Sequence, residues 1–116
     1  MSDRLARVAE EFREILAEEL PRLKDPRVGF VTITGVRVSP DMKKAYVAYS
    51  VLGDDKAWKG TRAALRSSTK HLRSVVGREV RLKFTPELIC EEDRSAEDSA
   101  RIDRVLAEAR RPHDDD

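Results

Sequence analysis

The stretch "AYVAYSVLG", residues 45–53, constrains the fold of this chain more than any other. Ala45, Val47, Tyr49 and Val51 alternate there with Tyr46, Ala48 and Ser50. A period of two is the signature of a strand with one buried face and one open face. Such a strand needs a neighbour to satisfy its backbone groups and a second layer to cover its apolar side. The chain on either side offers both. Residues 29–38 are rich in β-branched side chains and predict a second strand, antiparallel to the first and joined to it through Pro40 and Asp41 of "SPDMKK". That connection is longer than a two-residue hairpin, so the register is left open. A third strand is expected in "REVRLKFTPEL", residues 78–88, with Val80, Leu82 and Phe84 facing inward and Arg81, Lys83 and Thr85 outward.

Helical spacing supplies the covering layer. Leu5, Val8, Phe12, Ile15, Leu16 and Leu20 fall on one face of an N-terminal helix that Ser2 or Asp3 can cap, and Pro21 should end it near Leu20. A second helical pattern runs through Ala57, Thr61, Ala64, Leu65, Ser68, Leu72, Val75 and Val76, with Gly77 as its expected stop. A thinner apolar face at Ile102, Val105, Leu106 and Ala109 follows a candidate capping box from Ser95 to Asp98. "RPHDDD", residues 111–116, is expected to be a disordered acidic tail. The order is therefore helix, strand, strand, long or broken helix, strand, helix: a small α+β layer with three antiparallel or mixed strands. With 116 residues, no repeat and no linker, one domain is expected.

The formal net charge of +1 hides a division along the chain. Residues 1–86 carry +7 and residues 87–116 carry −6. Between Arg66 and Lys83 there are six cations and one acid. On the outer side of the second helix Lys59, Arg62, Arg66, Lys70 and Arg73 recur at spacings of 3, 4, 4 and 3, which stacks them into one ridge. A ridge of this kind fits a polyanion, because phosphate contacts can be distributed over a rigid surface. A solvated face without a partner has the same pattern.

Catalytic chemistry is weakly advertised. His71 is the one histidine inside an expected element and reads as a surface or boundary residue; His113 falls in the tail. Cys90 is a lone cysteine with no CxxC partner, and the three acids at 91–93 point alternately along a strand, so neither suggests a metal centre. No phosphate-binding or dinucleotide glycine motif occurs. No enzyme activity, cofactor or metal is expected. Trp58 reads as a packing residue or a contact to RNA or protein, and Asp25 and Asp41 read as local turn caps. A lone cysteine with neither a signal-like segment nor a long apolar run suits a soluble cytoplasmic protein, and with no extra coiled-coil-like stripe a monomer is the default expectation.

Three segments in succession, "KDPRVGFVTITGVRVSPDMKKAYVAYSVLG" (24–53), "LRSVVGREVRLKFTPEL" (72–88) and "EEDRSAEDSARIDRVL" (91–106), resemble the bacterial ribosome-binding factor A family over roughly residues 4–106. The resemblance implies a type-II KH-like domain over 1–110, ordered α-β-β-α-α-β with a further C-terminal helix. It also implies a non-enzymatic assembly factor that binds the free or immature 30S subunit, mainly 16S rRNA, supports late rRNA processing, and is released with help from a small GTPase. The family's helix-kink motif, Ala-x-Gly, falls on Ser68, Thr69 and Lys70, which departs at both ends. Without glycine there a sharp kink is in doubt. Carried onto this sequence, the RNA-contact positions are Arg66, Lys70, Arg73, Arg78, Arg81 and Lys83, extended by Lys59 and Arg62, with Arg27 either an RNA contact or a clamp on its own turn. The competing class is a basic protein-interaction module meeting an acidic ribosomal or other cytoplasmic protein. The acidic segment from residue 87 onward can orient the domain, touch a ribosomal protein, or merely solubilise it.

Overall fold

The computed structural model describes residues 3–110; Ser2 and the tail expected at 111–116 lie outside the described residues. Six main elements follow one another: α1 (Asp3–Glu19), β1 (Phe30–Val38), β2 (Lys44–Leu52), α2 (Asp55–Glu79), β3 (Glu87–Glu92) and α3 (Ser95–Arg110). The sheet order is β1-β2-β3, with β2 in the centre, antiparallel to β1 and parallel to β3. A parallel pair needs a crossover, and α2 provides it.

The central strand behaves as its alternation requires. Ala45, Val47, Tyr49 and Val51 are buried, and α1 and α2 supply the layer over that face. From α1 come Val8, Phe12, Leu16 and Leu20; from α2 come Trp58, Leu65, Leu72 and Val76. Pro21 sits in a short 3-10 turn, Leu20–Arg22, that closes α1 where a missing amide hydrogen costs least. Between the strands, Asp41 accepts hydrogen bonds from the Ser39 hydroxyl (2.7 Å) and the Lys43 amide (3.0 Å), while Met42 takes φ 60°. A bulge between Ile33 and Gly35 shifts the β1–β2 register by one residue and keeps apolar side chains inward on both sides of it.

Small residues on α2 set the position of the loop before β1. The buried Thr61 hydroxyl accepts the Gly29 amide hydrogen at 3.0 Å, and a methyl group at Gly60 would come within 3.0 Å of the Arg27 carbonyl oxygen. Thr61→Val preserves shape but deletes the acceptor. Because Gly29 itself is exposed and can turn to solvent, the expected cost is about 1 kcal/mol, read as a lower chemical-denaturation midpoint at unchanged m-value.

Four expectations change. The third strand starts at Glu87, not near Arg78: residues 80–86 run as an irregular connection, bent at Val80, Lys83 and Phe84, that buries Val80 but leaves Phe84 76% exposed. Pro86 cannot donate to a ladder, so pairing begins just after it. Gly77 does not stop α2, which continues to Glu79; it lies against Thr85, whose hydroxyl a Cβ there would approach to 2.8 Å. Where two middle helices were implied, α2 is one uninterrupted helix of 25 residues through Ser68, Thr69 and Lys70. Within that stretch the Thr69 hydroxyl bonds back to a helical carbonyl, Leu65 O, at 2.9 Å. Finally, the Ser95 side chain donates to Asp93 instead of capping the Asp98 amide, which bonds to the Arg94 carbonyl. The expected apolar face of α3 is uncovered: all its described side chains are exposed.

Candidate nucleic-acid interface

Burial of one face of α2 pushes its cations onto the opposite face. Lys59, Arg62, Arg66, Lys70, Arg73 and Arg78 are all exposed, as are Arg81 and Lys83 in the connection that follows. They are not equivalent. Arg62, on the side of the ridge nearest β3, donates to Glu92 at 2.6 Å, and this bond, with a second from Arg94, holds the Glu92 carboxyl below its ordinary range. Arg27 grips Asp25 through Nη2 (2.6 Å) and Nε (3.0 Å), and Asp25 also accepts the Arg27 amide; these bonds lower Asp25 to about 2. Arg27 is thus a clamp on its own turn, with a longer contact to Ser67.

Arg73 has a different task. Its guanidinium donates to the carbonyls of Thr85 (2.7 Å) and Pro86 (3.2 Å), tying the connection before β3 to α2 without meeting a carboxylate. Its charge is therefore not cancelled. The side chains of Lys59, Arg66, Lys70, Arg78 and Arg81 have neither an ion pair nor a hydrogen bond to the described residues. Lys83 lies 5.7 Å from the centre of the Phe84 ring.

Four of these positions share one groove, whereas Lys59, Arg66 and Arg81 are not among its lining residues. Lys70, Arg73, Arg78 and Lys83 line it together with Ser74 and Phe84, and no acid is among its lining residues. Four like charges around one open groove repel one another, an arrangement that an anion relieves. The groove is too open to enclose a small molecule, and its charge is spread as a chain of phosphates would require.

Chemistry elsewhere is sparse. His71 Nε2 lies 2.8 Å from Glu19 and links α2 to α1; burial pushes the Cys90 thiol up. The acids at 91–93 are drawn to separate partners: Glu91 to Arg37, Glu92 to Arg62 and Arg94, and Asp93 to Ser95 and Thr34, which lower it to about 2. Among the described residues no group of side chains could hold a metal ion, and no helix is long and apolar enough to cross a membrane. Trp58 is buried, 4.1 Å beneath the Arg94 guanidinium. Sequence reasoning missed the exposure of Phe84, although Pro86 two residues later was a signal that the strand could not yet have begun.

Three strands, with helices over one face and a basic crossover helix, place the chain among small KH-like α+β domains. The family model for Ribosome-binding factor A matches residues 4–106, and the chain belongs to that family. A Ribosome-binding factor A of Geobacter metallireducens is 48% identical over 109 residues, 93% of this chain and 92% of the relative. The crystal structure of ribosome-binding factor A from Thermus thermophilus superposes with a TM-score of 0.68 at 27% identity, covering 76% of this chain and 94% of the other. A homology model of the Thermus thermophilus factor, fitted into an electron cryo-microscopy map of a 30S complex, gives a TM-score of 0.64 at 28% identity over 75% and 92% of the two chains.

Proposed function

We propose that this protein is a non-enzymatic, cytoplasmic assembly factor that binds the free or immature 30S subunit chiefly through 16S rRNA and supports late rRNA processing. The groove lined by Lys70, Arg73, Arg78 and Lys83, without an acid, is the observation that carries this reading. Arg66, Arg81 and Lys59 extend the contact surface; Arg27 and Arg62, engaged by Asp25 and Glu92, are left out of it. The placement of a related factor on a 30S subunit supports the choice of partner. Binding through phosphate and sugar reads the shape of folded RNA rather than a base sequence, and a factor that binds one arrangement of the RNA better than another shifts the population toward it. The effect is stoichiometric and needs no turnover.

Chemical footprinting of 16S rRNA in immature 30S subunits tests this. The full chain is expected to protect a compact set of riboses and phosphates at a molar ratio near one. Protection confined to ribosomal proteins, with the rRNA unchanged, would replace this reading with that of a protein-interaction module.

A further inference from the structure

The geometry points to Phe84 as a stacking platform for one unstacked RNA base inside the cationic groove; this deepens the proposed function and rests on it. The ring is 76% exposed, yet the segment that carries it is held at several points. Arg73 binds the two carbonyls that follow it, Pro86 and Val80 are buried, and the Glu87 amide donates to the Lys43 carbonyl at 2.9 Å. Thr85 rests on Gly77, where an added Cβ would come within 2.8 Å of the Thr85 hydroxyl. A rigid, exposed phenyl ring gives up little freedom when a ligand arrives, so contact with it is not offset by an ordering cost.

Its surroundings select the ligand. Lys70, Arg73, Arg78 and Lys83 line the groove beside the ring, and a second groove that shares Arg73, Lys83 and Phe84 with it is bounded by Met42, Lys43 and Leu82 and by two acids, Asp41 and Glu87. A protein partner would require a broader apolar centre rimmed by polar groups. A single aromatic face with an acid-free cationic groove on one flank, the acids Asp41 and Glu87 being confined to the second groove, instead matches the way single-stranded nucleic acid is held, with phosphates on the charges and a base on the ring. Stacking of this kind tolerates every base, because each has a π-face. Other exposed apolar residues, Phe30 and Leu52, face each other at the far end of β1 and β2 and do not extend this patch.

The test compares Phe84→Ala, Phe84→Tyr and Phe84→Leu in the full chain, measuring affinity for free 30S subunits across a salt series, alongside a variant lacking Arg66 and Lys70. Loss of one stacked base is expected to weaken Phe84→Ala binding by between about 5-fold and 100-fold. The slope of log affinity against log salt should be unchanged, since no phosphate contact is lost. Tyrosine should restore binding and leucine should not, because leucine keeps apolar bulk but has no π-face. Wild-type affinity in Phe84→Ala or full binding by Phe84→Leu, with the cation variant weakened, would overturn the platform and leave the ridge standing. If the cation variant also binds like wild type, the phosphate-binding reading fails and the platform with it.

Discussion

Replacing Arg66, Lys70, Arg78 and Arg81 together with alanine is expected to weaken binding to free 30S subunits by about 100-fold or more near physiological salt, and to reduce the salt slope by about 3. Each lost phosphate contact removes roughly 0.7 to 0.9 of released counterion from the slope, so the slope counts contacts independently of the affinity itself. These four are the right positions because they are exposed and their side chains have no partner among the described residues. Arg73 is deliberately retained: removing it would free the Thr85 and Pro86 carbonyls and loosen the segment that carries Phe84, confusing a contact effect with a structural one. Surface substitutions of this type change stability by about 0.5 kcal/mol or less, so the variant should melt like wild type. Removing Arg101 and Arg104 from α3 serves as the control for total charge. If that pair alters the slope as much as the ridge does, or if the ridge variant keeps wild-type affinity and slope, the footprint lies elsewhere.

Trp58→Ala is expected to be the most destabilising single substitution proposed here, by about 3–5 kcal/mol, lowering the melting temperature by roughly 10–20 °C. The indole is 2% exposed, packs 6.1 Å from the Tyr49 ring centre, and lies beneath the Arg94 guanidinium. Its truncation opens a large cavity between α2 and the sheet and removes the surface on which Arg94 rests. Trp58→Phe separates volume from chemistry. The indole N–H meets no acceptor among the described protein groups, so phenylalanine gives up no internal hydrogen bond and should cost only about 1 kcal/mol. Neither variant should alter 30S affinity at a temperature where it is folded. A Phe variant that is fully stable yet binds weakly would make Trp58 a contact residue after all.

The regular elements were legible because their signals are local. The four-residue recurrence from Val8 to Leu20, the alternation from Ala45 to Val51 and the charge stripe on α2 each follow from the geometry of a single helix or strand. The region from Val80 to Glu92 was harder. Val80, Leu82 and Phe84 alternate as a strand would, but pairing is a long-range property: β3 forms only where Glu87 meets Lys44 on β2, and that register is invisible to alternation. The error moved one aromatic from the core to the surface and, with it, the most informative side chain of the candidate site.

Charge shows the same division. By itself the sequence determined that a basic helix would be amphipathic and would present its lysines and arginines away from the core, because 3.6 residues per turn leaves no other face for them. Only the tertiary structure decided which charges remain available. Arg27 and Arg62 fall beside acids and are neutralised, Arg73 falls beside bare carbonyls and becomes a tether, and Lys70, Arg78 and Lys83 meet around Phe84 with no acid lining their groove. Partnership between charges depends on distances between residues far apart in the chain, and those are set by packing rather than by spacing along it.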